Sequence, residues 1–173
     1  MIALEQKHLA LLDEARRRGV AEIGNLGLCF EILTLAAAID RDCASRLAPH
    51  QLSEGKFVLL FLLRDRTDGL SPHELADRAG VTRATVTGLL DGLERDGFLA
   101  RHAVAGDRRR VAVRLTDKGN EAAATLFREH SRWISHLLAD LSDEEQRVLS
   151  GLLQRVWMAT DSGSPDPQPA KLD

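Results

Sequence analysis

Residues 71–97 read SPHELADRAGVTRATVTGLLDGLERDG. Ser71 can cap a helix, Pro72 suits the first helical position, and Glu74 completes a capping box. Leu75 and Ala76 are the inward positions of this short helix, and Ala76 is small enough to let a second helix cross close by. Gly80 follows four residues later, where a turn leaving a helix needs a left-handed backbone. Val81 is expected to plug the gap between the two helices. Thr82 is placed to cap the second helix, whose inward face is Val86, Leu89 and Leu90 and which Gly97 ends. A small residue, a glycine and aliphatics at these intervals are what a helix-turn-helix demands.

After Gly97 the period changes from helical to alternating. Leu99, Arg101 and Ala103 alternate with Phe98, Ala100 and His102, and Val111, Val113 and Leu115 alternate with Ala112 and Arg114. Ala105-Gly106-Asp107 between them reads as the loop of a β-hairpin. A helix-turn-helix followed directly by a two-stranded hairpin is a winged helix, a double-stranded DNA-binding architecture. The fold class expected is mainly α (α+β): a winged helix-turn-helix with a two-stranded β wing, flanked by N- and C-terminal dimerisation helices.

The overall charge at first points elsewhere. The 173 residues carry a formal net charge of −3, which argues against a generally basic nucleic-acid binder. Its distribution reverses the reading. Residues 101–114 hold Arg101, Arg108, Arg109, Arg110 and Arg114 against Asp107 alone, a net +4 that leaves −7 for the rest of the chain. An arginine-rich hairpin tip can neutralise phosphates or enter a narrow minor groove.

Outside the winged helix the pattern is helical. Residues 3–18 and 21–47 read as helices closed by Gly19 and Pro49, and Leu52-Ser53 opens a short apolar helix to about Arg64. Thr116 begins a helix to about Ala139. Ser142-Asp-Glu-Glu145 is a second capping box, opening a last helix to about Met158. Leu126, Phe127, Trp133, Leu137 and Leu138 pattern one of these, and Val148, Leu152, Leu153, Val156 and Trp157 the other. One winged-helix core is too small to cover such faces, so a homodimer is expected. The organisation expected is 1–50 N-terminal dimerisation helices, 51–116 the DNA-binding lobe, 117–160 C-terminal dimerisation helices, and 161–173 a proline-rich disordered tail.

Composition excludes several classes. Two cysteines cannot make a disulfide framework or a four-thiolate zinc site. No uncharged apolar stretch reaches 18 residues, and early charges interrupt any signal-peptide pattern, so no membrane partner and a cytoplasmic location are expected. The six histidines lack metal-ligand spacing, so no metal is expected. No phosphate-binding glycine loop, nucleophile elbow or triad is present, so neither an enzyme nor a cofactor is expected.

Residues 52–119 resemble the MarR family of bacterial transcriptional regulators. The resemblance rests on Leu52-Ser53, Leu75-Ala76, Val86-Thr87, Leu93-Glu94 and Gly97-Phe98. The wing adds Asp107-Arg108-Arg109, then Val113, Leu115-Thr116 and Gly119. With the helical flanks, the resemblance covers roughly residues 20–160. It implies a homodimer on a pseudo-palindromic operator, most simply a repressor released by a small-molecule effector, whose binding site the sequence leaves unknown. It assigns Arg109 to the minor groove, with Asp107 orienting it and Arg108 and Arg110 beside it. Thr82, Arg83, Thr85 and Thr87 fall on or near the outward face of the second helix, with Arg83 the base reader and Thr82 equally a plain N-cap.

The chain departs from the family pattern at Gly88 and Gly92. They stand where relatives often carry basic residues, and make a small-residue stripe with Ala84. Either the bare backbone approaches DNA or two phosphate contacts are missing, the second being favoured. Oxidant-responsive relatives keep a reactive cysteine near the start of their dimer helices. Cys29 and Cys43 are the redox candidates, too far apart on one helix (roughly 21 Å) to pair within the chain. Cys29 is expected to be buried and inert. Cys43 is expected to be partly exposed, beside Arg41 and Arg46, which could lower its pKa. Two alternative functions follow: a protein-interaction module that no longer reads DNA, and a cysteine-based redox regulator of the same fold.

Overall fold

In the computed structural model, residues 2–104 and 107–163 are described. The chain divides into two compact units, Met1–Thr125 and Leu126–Asp173. The first opens with α1 (Gln6–Arg17) and α2 (Ile23–Leu47), followed by a single 3₁₀ turn, Ala48–His50, that carries Pro49. Next come α3 (Glu54–Leu63), α4 (Pro72–Ala79), α5 (Arg83–Arg95), β1 (Leu99–Val104) and β2 (Asp107–Leu115). α6 (Asp117–Leu137) begins in this unit and continues into the second, which also holds α7 (Asp143–Met158). The mainly helical fold with an antiparallel β wing and flanking helices is the one the periodicities predict.

The expected helix starts are present in atomic detail. Ser71 accepts from the Glu74 N–H while the Glu74 carboxylate accepts from the Ser71 N–H, and Ser142 and Glu145 repeat the arrangement. Ser53 and Thr82 cap α3 and α5 by accepting from Lys56 N–H and Thr85 N–H. Each such cap contributes about 1 kcal/mol.

The core of the first unit lies where α3, α4 and α5 meet the hairpin. Leu59, Leu60, Leu63, Leu75, Val86, Leu90, Leu93 and Val113 are essentially inaccessible. Burying an aliphatic side chain of this size stabilises by roughly 1.5–3 kcal/mol. Ala76 is buried as expected, whereas Leu89 is half-buried. Val81 differs more: it is 39% exposed and does not plug the space between the helices. Leu75, Ala76, Val86 and Leu90 already fill that space, and the role of Val81 is carried by its backbone. Its N–H donates to the Ala76 carbonyl while Gly80, at φ 66°, donates to Asp77, so α4 closes in a Schellman motif.

The hairpin runs antiparallel from Leu99↔Leu115 to Ala103↔Val111. Leu70 extends it by bridging Val113 through both backbone hydrogen bonds, a pairing that no alternation in the sequence announces. At the far end Val104 pairs with Asp107, so one step along β1 is matched by four along β2, and Arg108, Arg109 and Arg110 occupy that irregularity. The loop residues 105–106 lie outside the described residues, as does most of the tail predicted to be disordered.

At the other end of the first unit, α1 packs on α2 through His8. Its ring stacks on Phe30 with centroids 4.5 Å apart, and Nδ1 lies 3.3 Å from Thr34 Oγ1. Most of α2 is open: Leu28, Leu33, Leu35 and Ile39 are exposed. By length and composition Ile23–His50 would suffice to cross a membrane, although Glu31, Asp40, Arg41, Asp42 and Arg46 interrupt it. In the second unit α7 buries no residue, and Val148, Leu152, Leu153, Val156 and Trp157 are exposed.

Candidate nucleic-acid interface

Thr82, Arg83, Thr85 and Thr87 are all exposed, Thr82 at the N-cap and the others on the first two turns of α5. The Thr82 oxygen is engaged as the N-cap and sits 2.8 Å from the Thr85 hydroxyl. Thr87 donates to the Arg83 carbonyl at 2.9 Å, which leaves its oxygen lone pairs free to accept. Arg83 shows no ion-pair partner among the described residues. Arg83 and Thr87, one turn apart, share one side of α5 and present a long cationic fork beside a hydroxyl, a combination suited to base edges and phosphates. The side chains of Asp107, Arg108, Arg109 and Arg110 lie outside the described residues, while their backbone runs in β2.

Arg101 departs from the expectation that the wing arginines form one positive patch. Nη1 donates to Glu94 at 2.5 Å and Nη2 to Asp91 at 2.7 Å. Partial burial works against its charge, but the Asp91 and Glu94 carboxylates outweigh burial and raise its pKa. Its charge is answered within the protein, whereas Arg114 on the partner strand is exposed.

The small-residue stripe of α5 also divides. Ala84 and Gly88 are exposed, but Gly92 is buried under Lys56. A Cβ at Gly92 would meet Lys56 Cε at 3.0 Å, so this glycine makes room for a lysine of α3 and neither reading toward DNA applies to it. At Gly88 nothing lies within 4 Å of an added Cβ. Gly88→Ala should therefore stabilise the fold by about 1 kcal/mol through helix propensity, raising the thermal midpoint by a few degrees, with operator affinity unchanged. A loss of affinity in this more stable variant would show instead that the bare backbone approaches DNA.

Lys56 crosses Gly92 to reach Asp96, at 2.8 Å from Oδ2. The Lys56 ammonium, by hydrogen bond and charge, holds the Asp96 carboxyl below the usual carboxylate range. From the other side Lys118 donates to the Asp96 carbonyl at 2.7 Å and lies over the Phe98 ring. Cations at a helix C-terminus are favourable, so α3 and α6 together hold the end of α5. A carboxylate whose folded pKa is depressed stabilises above its unfolded pKa, and the contribution disappears as pH falls. Wild type should thus lose stability below about pH 5, from an ordinary aspartate value near 3.9. Asp96→Asn should be less stable at neutral pH and lose less between pH 5 and 3. Parallel thermal-unfolding pH profiles for the two would refute the assignment.

The cysteines exchange their expected environments. Cys29 is exposed and Cys43 buried. The Cys43 thiol is raised, first by burial and then by the charges of Glu54 and Asp40, so Arg41 and Arg46 do not activate it. Among the described residues no cluster of histidine, cysteine and carboxylates could hold a metal ion.

Residues 52–111, which contain the recognition helix and most of the wing, match the model of the MarR family. The transcriptional repressor YetL of Bacillus subtilis is 35% identical over 167 residues, covering 91% of this chain and all of that protein. This chain belongs to the MarR family. As a MarR-family protein it is a DNA-binding transcriptional regulator and not an enzyme, in a family that generally binds DNA as dimers, sometimes with small-molecule effectors. Among solved structures, the Streptomyces coelicolor regulator PcaV in complex with its natural ligand superposes with a TM-score of 0.58 at 26% identity, covering 73% of this chain and 91% of PcaV. The S. aureus MepR–DNA complex shares the fold at a TM-score of 0.64 and 22% identity, over 75% of this chain and 95% of MepR.

Proposed function

We propose that the protein is a homodimeric repressor in the cytoplasm, that it holds a pseudo-palindromic operator, and that a small organic ligand releases it. The full-length similarity to a protein named as a repressor carries the repressor reading. Dimerisation is supported by the exposed apolar residues of α2 and α7, which one chain leaves in water. Release by a ligand is supported by the similarity to PcaV, whose structure holds its natural ligand. In this reading Thr82, Arg83, Thr85 and Thr87 enter the major groove, and Asp107 to Arg110 present the wing to the minor groove and phosphates. Each ligand acts by its different affinity for the DNA-competent and DNA-incompetent states.

The test is binding-site selection from random duplex DNA, followed by a ligand screen for release. An inverted repeat with half-sites about one helical turn apart, and a compound that lowers affinity for it, are expected. Recovery of no preferred sequence would leave the protein-interaction module. The redox version finds less support, because Cys43 is buried with a raised pKa. It requires oxidant-induced release that Cys29→Ser abolishes.

A further inference from the structure

Arg101 joins the wing to the recognition helix through a built fork. It lies on β1, opposite Val113. Its guanidinium reaches two carboxylates one turn apart on α5, Asp91 and Glu94. Glu94 also accepts the Arg101 backbone N–H, at 3.1 Å from Oε1. Both oxygens of Glu94 are thereby engaged by one residue, one through backbone and one through side chain. The Arg101 side chain is 29% and that of Glu94 38% exposed, so this arm of the fork is more shielded than an ordinary surface ion pair, while Asp91 stays open to solvent. The fork stands between two DNA-facing regions: Arg83 to Thr87 earlier on α5, and the arginines beginning at Arg108 on β2, the partner strand of β1.

We propose that Arg101 is a positioning residue for DNA recognition, which through Glu94 and Asp91 fixes the strand pair carrying the wing against the recognition helix. A dimer must place two recognition helices and two wings on one duplex at once. Any looseness between helix and wing then lowers the fraction of protein poised to engage both grooves. The planar guanidinium suits this role, because its fork pairs with carboxylates in a fixed geometry that a lysine ammonium cannot reproduce. This inference rests on the wing contact proposed above for Arg109.

The experiment measures affinity for the duplex recovered by binding-site selection with the wild-type dimer. Arg101→Gln is expected to weaken binding about tenfold. Arg101→Lys, which keeps the charge and disturbs folding least, is expected to fall between this variant and wild type. The charge-compensated pair Glu94→Gln with Arg101→Gln carries the net charge of wild type and should remain about tenfold weaker. Recovery of wild-type affinity by that pair would show that charge alone matters and overturn the proposal. Without the wing on the DNA there is nothing left to position, so Arg101→Gln should cost much less in an Arg109→Ala background. Full additivity of the two effects would also overturn it, as a purely structural or phosphate-binding Arg101 requires. If Arg109→Ala alone binds as tightly as wild type, the wing reading fails and the role of Arg101 falls with it, whereas a weakened Arg109→Ala with full additivity overturns the role of Arg101 alone.

Discussion

Gly119→Ala is expected to cost about 3 kcal/mol, at the upper end for inserting an atom into a packed site. At this chain length that corresponds to a fall in thermal midpoint of roughly 10 °C at fixed protein concentration. A Cβ at Gly119 would stand 1.9 Å from the Phe98 carbonyl oxygen and 3.3 Å from Leu115 Cβ. The obstacle is backbone, so no side-chain rotation relieves it. The Phe98 carbonyl is also fixed, because it accepts from the Thr116 N–H at 3.0 Å. Thr116 in turn donates its hydroxyl to the Gly97 carbonyl and accepts from the Gly119 N–H. The end of α5, the start of β1, the end of β2 and the first turn of α6 converge here. Moving α6 away to admit a methyl group would break this set of bonds together. Urea and thermal unfolding of the variant check the expectation, and a midpoint within 2 °C of wild type would refute it.

This junction shows what a sequence discloses and what it conceals. Gly97-Phe98, Leu115-Thr116 and Gly119 could be quoted as elements of a family pattern, but nothing in their order says that the glycine is pressed against the Phe98 carbonyl. Local signals fared best. The capping boxes at Ser71 and Ser142, the left-handed Gly80 and the alternation of the hairpin each depend on residues a few positions apart, and each is found in the structure. What failed depends on distant neighbours. Arg101 read as wing charge because its partners, Asp91 and Glu94, lie on a different element and were counted with the acidic body. Gly92 read as part of a DNA-facing stripe because Lys56, which covers it, lies 36 positions earlier. The two cysteines differ from expectation for a related reason. Cys29 sits among apolar residues in sequence, yet its stretch of α2 is open, while Cys43, fourteen residues on and on nearly the same side of the helix, is buried near Glu54 where the end of α2 meets α3.

The second large effect concerns recognition itself. Arg83→Ala is expected to weaken operator binding by about 1–3 kcal/mol per half-site, the discrimination that one bidentate arginine supplies at guanine. Over two half-sites this is at least tenfold and reaches beyond a thousandfold. Its signature is a change in sequence preference: repeated selection with the variant should lose the requirement for one base pair in each half-site. Arg109→Ala should behave differently. An arginine of the wing, in the minor groove and against phosphates, reads no single base edge, so affinity falls with no base pair losing its requirement and at most a weaker preference for a narrow, A·T-rich groove. The slope of log affinity against log salt should diminish by roughly 0.9 for each phosphate that the variant leaves unneutralised. The contrast follows from their surroundings. Arg83 projects from the first turn of a capped, well-buried helix, whose backbone is held at its far end by Lys56 and Lys118. Arg109 lies on β2 where the strand register slips, a place better suited to following the shape of a groove than to fixing one base. If Arg83→Ala instead lowers affinity uniformly and reduces the salt slope with unchanged preference, Arg83 holds a phosphate, and sequence reading falls to the neighbouring threonines.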